Sequence, residues 1–270
     1  SGAGNVYIGC CAGESDATGI RNVAIGQGAA CDFTAGNQNV FLGYGVANGN
    51  TGTIGCNVII GDTAGCNQKQ YSTIIGAKAG GENTGTNCGS TFIGHRAGYY
   101  NSADCNVAIG VDAGRRTTGD HSIAIGYYAG ECVKAAYNIS MGFCALKGGT
   151  GGVTGSHNIA LGSQAGNSGT TGGCNIAIGC KALSTNTEGT HNIAIGNGAG
   201  ENSMPDATCT GHCNIFIGRN AGYNANTTQW SCSNIAIGAN AGYKAAYNCN
   251  VFIGNNAGKC NANYSNVFIG

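Results

Sequence analysis

Hydrophobic residues recur along this chain in short bursts: an aliphatic residue, a variable one, a second aliphatic, then glycine, as in Val251–Phe252–Ile253–Gly254. With that glycine as position zero, the burst occurs sixteen times, at Gly9, Gly26, Gly43, Gly61, Gly76, Gly94, Gly110, Gly126, Gly142, Gly162, Gly179, Gly196, Gly218, Gly238, Gly254 and Gly270. Spacings run from 15 to 22 residues. Position −1 is Ile in thirteen repeats and otherwise Leu42, Met141 or Leu161; position −3 is Val or Ile in fourteen, with Thr73 and Thr91 the exceptions. After the glycine, +3 is Ala in fourteen of fifteen repeats, Val46 being the exception, and +4 is Gly in eleven. The −3/−1 alternation predicts a short β-strand in each repeat, and the glycine punctuation with residues of low helix propensity argues against helices. One such strand cannot bury its apolar face alone, but sixteen stacked in register can. The expected fold is therefore all-β: a parallel β-solenoid of about sixteen coils running as one continuous array over residues 1–270, roughly 75 Å long at about 4.8 Å per coil.

Each repeat position then acquires an expected role. The aliphatic −3 and −1 positions are expected to form the core. Gly at zero and +4 suits corners where φ is positive or backbones pass closely. Position −4 is Asn in thirteen repeats: Asn5, Asn22, Asn39, Asn57, Asn106, Asn138, Asn158, Asn175, Asn192, Asn214, Asn234, Asn250 and Asn266, with Ser72, Ser90 and Ser122 in the rest. These side chains can stack as a ladder of amides, each bonding to the next; the alternative is that Asn simply favours the turn before the strand. Position −2 should face away from the −3/−1 core, yet it is Ala seven times and Phe five times (Phe41, Phe92, Phe216, Phe252, Phe268), and only Ser140 is polar. Strands apolar on both faces are covered on both faces. The −2 face is therefore expected to pack against another surface, a second wall or identical chains; a continuous apolar stripe favours symmetric self-association, a homotrimer first, with the −2 phenylalanines as the interchain face.

Composition narrows the partners. Only 9% of the residues are charged and the formal net charge is zero, so no basic field is available for nucleic acid or an anionic membrane. Apolar runs fall far short of the roughly 20 residues of a membrane-spanning helix, so no membrane insertion is expected. The chain opens on Ser-Gly-Ala-Gly without Met, as expected of a processed product or a segment of a longer fibre.

Sixteen cysteines in such a chain call for an explanation. Cys56, Cys105, Cys174, Cys213 and Cys249 stand at −5, and Cys88 and Cys232 at −6. Consecutive coils should bring Cys88 near Cys105, and Cys213 near Cys232 and Cys249, within the Cα range of a disulfide, which fits an oxidising, extracellular setting. The alternative is free thiols standing in the wall. Cys209, His212 and Cys213 form the best local metal-like cluster, but no second pair follows at zinc spacing, so no metal site is expected. His95, His121, His157 and His191 lie near coil corners and read as solvated. No cofactor motif or nucleophile elbow is present, so no enzyme is expected. The longest insertions carry Pro205, Tyr223 and Trp230, a candidate ligand loop in which aromatics could stack on glycan rings; the alternative is that they cover seams between coils.

The block as spelled in Asn106–Gly114 (NVAIGVDAG) and Asn192–Gly200 (NIAIGNGAG) resembles the head repeats of trimeric autotransporter adhesins. It is similar also to Gly/Asn-rich repeats of bacteriophage tail fibres, and the resemblance covers essentially residues 5–270. It implies a left-handed parallel β-roll, three rolls packed as a trimer, and a role on a cell or virion surface. The adhesin repeat is shorter, more regular and poor in cysteine, and no heptad stalk, neck or membrane anchor appears within these 270 residues. The variable connections look closer to the phage-type arrays. The expected function is the rigid rod of a tail fibre or similar appendage contributing to host attachment. The alternatives are an adhesin or extracellular-matrix filament, and, further off, a glycan-cleaving solenoid.

Overall fold

A computed structural model gives the fold and describes residues 2–50, 53–83, 88–149, 151–169, 171–202, 211–223, 232–245, 248–261 and 263–270. Every regular element among them is a three-residue β-strand. The chain divides into two compact units, Ser1–Glu131 and Cys132–Gly270. In the first, β1 (Val6–Ile8), β2 (Val23–Ile25), β4 (Val40–Leu42), β6 (Val58–Ile60), β7 (Thr73–Ile75), β8 (Thr91–Ile93), β9 (Val107–Ile109) and β10 (Ile123–Ile125) stack in parallel. There, β3 (Ala35–Asn37) and β5 (Thr53–Gly55) add a short second wall. In the second unit, β11 (Ile139–Met141), β12 (Ile159–Leu161), β13 (Ile176–Ile178), β14 (Ile193–Ile195), β15 (Ile215–Ile217), β16 (Ile235–Ile237), β17 (Val251–Ile253) and β18 (Val267–Ile269) do the same. Position −3 pairs with −3 and −1 with −1 throughout, whatever the length of the intervening connection. The fold is a parallel β-solenoid, eight wall strands and seven turns in each unit.

Two glycine positions permit this stacking. At position zero φ lies between +128° and +144° in all sixteen repeats, a region closed to ordinary L-residues. The space is closed too: a Cβ on Gly218 would lie 2.6 Å from the carbonyl oxygen of Gly238 in the next coil. At +4, glycine leaves room for the −2 side chain of its own coil. A Cβ on Gly98 would lie 2.6 Å from the Phe92 ring, and one on Gly222 2.3 Å from Phe216. Where −2 is small the trade reverses: Leu146 at +4 accompanies Ser140, and Leu183 accompanies Ala177. In these two coils the +4 leucine fills space that a small −2 side chain leaves, as close packing favours.

The core is the inverse of the one the alternation suggested. Position −2 points inward, and −3 and −1 point outward. Ala24, Phe41, Ile59, Ile74, Phe92, Ala108, Phe216 and Phe252 are buried, and so is the +3 alanine facing them across the coil in most turns. Four of the five phenylalanines expected at an interchain face are core residues: Phe41, Phe92, Phe216 and Phe252 are each no more than 1% exposed, while Phe268 is 40% exposed. Phe268 continues their column in the last strand, its ring centroid 5.7 Å from that of Phe252. The physical reason is strand parity. Asn at −4 is inside, and residues two apart on a strand share a face.

The Asn ladder forms. In each rung the backbone N–H at −4 donates to the side chain at −4 in the preceding coil. In the first unit it runs Asn5, Asn22, Asn39, Asn57, Ser72, Ser90, Asn106, Ser122, with donor–acceptor distances of 2.7 to 3.4 Å. In the second it runs Asn138, Asn158, Asn175, Asn192, Asn214, Asn234, Asn250, Asn266, at 2.9 to 3.0 Å. Where Asn follows Asn, the upper Nδ2 commonly donates to the lower Oδ1 as well, as Asn192 does to Asn175 at 3.0 Å. Nδ2 also reaches a carbonyl on the return segment: Asn175 to Gly189 at 2.7 Å, Asn192 to Gly211 at 2.8 Å. The ladder thus ties coil to coil and wall to return.

Serine in the ladder leaves a defect. Asn106 is 2% exposed and follows Ser90, whose single oxygen already accepts the Asn106 N–H at 3.2 Å, and the Asn106 Nδ2 has no partner. Ser90→Asn would give that amide an acceptor. It is expected to raise unfolding stability by about 1 kcal/mol, the net worth of one buried hydrogen bond. Chemical denaturation checks it, and an unchanged or lowered midpoint contradicts the reading.

Candidate functional site

Turning −3 and −1 outward gives each unit a wall with two parallel columns of aliphatic side chains. On the −1 column Ile25, Ile75, Ile195, Ile217, Ile237 and Ile253 are each 36 to 38% exposed. On the −3 column Val58 is 37% exposed, and Val23, Val40, Val107, Ile159, Ile176 and Ile193 are half-buried. β-branched residues at these positions suit the pleat, yet in a single chain they face water. An ordinary exposed strand face would carry Thr, Lys or Glu. This regular apolar surface is the main candidate for contact with a partner.

A third outward column runs along its edge. Position −5 is left-handed in all sixteen repeats, with φ between +54° and +71°, and its residue is exposed in every one. The corner lets the chain turn so that the −4 side chain enters the interior. In most turns the −5 N–H donates to the −6 carbonyl of the preceding coil, as Cys174 does to Ser156 at 2.9 Å and His191 to Gly173 at 3.2 Å. Only two of the sixteen residues are glycine. In the second unit the column reads Tyr137, His157, Cys174, His191, Cys213, Ser233, Cys249, Ser265.

This register decides the cysteine question. The described cysteines are all free thiols, Cys88, Cys105, Cys213, Cys232 and Cys249 among them. Cys105 at −5 donates its N–H to the carbonyl of Cys88 at −6, so the two are hydrogen-bonded neighbours but not register partners. Cys105 stands over Gly89, with its Sγ 3.5 Å from where a Cβ on that glycine would be. Cys249 and Cys232 share the same offset. Cys213 has Ser233 as its neighbour in the column, one rung short of Cys249. A second thiol group gathers in the first turns. The sulfurs of Cys10 and Cys11 lie 3.6 Å apart, and Cys31 Sγ lies 3.6 Å from Glu14 Oε2. Hydrogen bonding to the Glu14 carboxylate is the largest influence pushing the Cys11 thiol up to about 12, while desolvation and then Glu14 raise Cys31.

Of the candidate ligand loop, Pro205 and Trp230 lie outside the described residues. Tyr223 is described and half-buried, stacked on Tyr243 with centroids 5.2 Å apart and planes at 6°. Lys259 Nζ sits 5.6 Å from the Tyr243 centroid. Tyr223 therefore bridges neighbouring coils, as expected of a seam residue, while its pair still presents a partly exposed aromatic edge. Cys209 also lies outside the described residues. Its companion His212 is engaged structurally: Nδ1 meets the Thr190 hydroxyl at 2.8 Å, and its backbone N–H lies 3.3 Å from Cys232 Sγ. Two acidic groups are tied to arginines: Asp112, 1% exposed, to Arg96 at 2.6 Å, and Glu131 to Arg115 at 2.7 Å. No helix among the described residues is long and apolar enough to cross a membrane. No protein-family model matches the chain, and no curated protein matches it.

Proposed function

We propose that this chain is the rod of a structural fibre, a bacteriophage tail fibre or similar surface appendage, built from copies of the solenoid packed side by side in register, with three chains favoured. The observation that carries the reading is the outward wall. Its −3 and −1 columns are apolar but for Thr73 and Thr91 and partly open to water, while the −2 side chains of the same strands, Phe268 of the last strand apart, turn into the core. Such a wall gains by burial at about 25 cal/mol per Å². Its repeat along the coils makes a second copy of the same wall the natural complement. The resemblance to tail-fibre and adhesin-head repeats points the same way.

Host attachment is the accompanying role. The stacked Tyr223–Tyr243 pair beside Lys259 favours it, since flat aromatic faces with a nearby cation suit sugar rings; the same pair is the feature an adhesin or matrix filament would use.

Ile195→Lys with Ile237→Lys tests the packing. Both side chains are outside the core, so the circular dichroism spectrum and unfolding midpoint of the isolated chain should hardly change. Light scattering should show the assembly dissociated. An assembly of unchanged mass would remove this wall as the contact.

A further inference from the structure

We propose that the exposed corner run His157, Cys174, His191, Cys213 binds a thiophilic divalent cation of the zinc class. Each ion would be held by the imidazole Nε2 and the thiolate of neighbouring rungs, with water filling the remaining positions. The four residues occupy successive coils at the same repeat position, as the strand registers Ile159↔Ile176, Ile176↔Ile193 and Ile193↔Ile215 require. Imidazole and thiol therefore alternate at the strand spacing of about 4.8 Å. A tetrahedral ion places its nitrogen and sulfur ligands roughly 3.5 Å apart, which a small lean of two exposed side chains supplies. Side chains of successive rungs in this column do stand face to face: the rings of Tyr137 and His157 stack with centroids 5.0 Å apart.

Both histidines are prepared alike. His157 Nδ1 lies 2.9 Å from the hydroxyl of Ser156, and His191 Nδ1 lies 3.0 Å from that of Thr190. A hydroxyl at −6 thus occupies Nδ1 in each case and leaves Nε2 for a ligand, the arrangement in which a second partner orients a metal-binding imidazole. The alternation also keeps the thiols available. No two cysteines occupy adjacent rungs of this run, so a disulfide along it is ruled out by the spacing. The Cys10, Cys11 and Cys31 group is a poorer ligand set, because its neighbouring carboxylate favours the protonated thiols. Among the described residues no three metal-binding side chains converge on one point, so one chain supplies two ligands to each ion. On binding, the sulfur–metal bond replaces the S–H bond and the proton passes to solvent.

The test is a titration of the full chain, reduced with a phosphine, with cobalt(II) chloride. A near-ultraviolet thiolate-to-cobalt absorption band is expected. C174S/C213S should lose the larger part of it, and H157A/H191A should weaken cobalt affinity at least about tenfold, the least that loss of even an outer-shell partner costs. C10S/C11S should leave both unchanged. All the substituted side chains are exposed, and circular dichroism would confirm that each variant is folded. Absence of a band in the wild-type chain, full amplitude in C174S/C213S, or unaltered affinity in H157A/H191A would overturn the assignment. None of these outcomes depends on whether copies of the chain associate.

Discussion

Replacing Gly218 with alanine is expected to destroy the cooperative packing of the second unit, at a cost of at least about 4 kcal/mol, the scale of the most damaging single substitutions. Two independent penalties combine at this site. The backbone sits at φ +128°, where a Cβ is strained whatever its surroundings, and the added carbon would lie 2.6 Å from the Gly238 carbonyl oxygen and 2.7 Å from its carbon. Neither atom belongs to a side chain that could rotate away. Relief would require two coils to separate, breaking the ladder bonds on either side. The control is Gly28→Ala. There φ is +65° and the nearest atom would be 3.9 Å away, so only the left-handed backbone penalty remains, roughly 1 kcal/mol. Denaturation midpoints of the two variants make the comparison. Equal, mild effects would mean that coils do not approach at position zero as described.

Asn192→Ala is expected to cost about 3 kcal/mol or more, because it orphans several buried groups at once. The side-chain oxygen of Asn192 accepts the Asn214 N–H at 2.9 Å and the Asn214 Nδ2 at 3.0 Å, while its own Nδ2 donates to Asn175 Oδ1 at 3.0 Å and Gly211 at 2.8 Å. Alanine removes every one of these in a position with no solvent access. Asn192→Ser should cost markedly less. A serine oxygen can still accept the next coil's N–H, as Ser90 does from Asn106. Unfolding free energies of the two variants separate a ladder from a mere turn preference. If Asn favoured only the turn before the strand, serine and alanine would rank by turn propensity and differ little.

The repeat itself made most of the fold legible. Invariant spacing of Asn, aliphatics and Gly is a direct image of strands held in register, and the Asn ladder could be read from residue type. The inside and the outside were harder to assign, because hydrophobicity alone does not distinguish them when −3, −2 and −1 are all apolar. The resolving signal was present: Asn57 and Ile59, or Asn214 and Phe216, are two residues apart, so a buried amide at −4 places −2 in the core. The cysteine pairing failed for a related reason. Cys88 and Cys105 are in consecutive coils, but a one-position offset in repeat register separates neighbours from partners. Aligning His157, Cys174, His191 and Cys213 on the same position would have shown the corner column. Its left-handed geometry would not have been legible, since only two of its sixteen residues are glycine.

The central claim is that the outward aliphatic wall is a contact between copies of this chain. Sedimentation equilibrium of the reduced wild-type chain at micromolar concentration tests it most directly. The predicted result is a single assembly whose mass is a whole multiple of the 26.8 kDa chain, three for the favoured trimer. A soluble, folded species of 26.8 kDa under those conditions would contradict it.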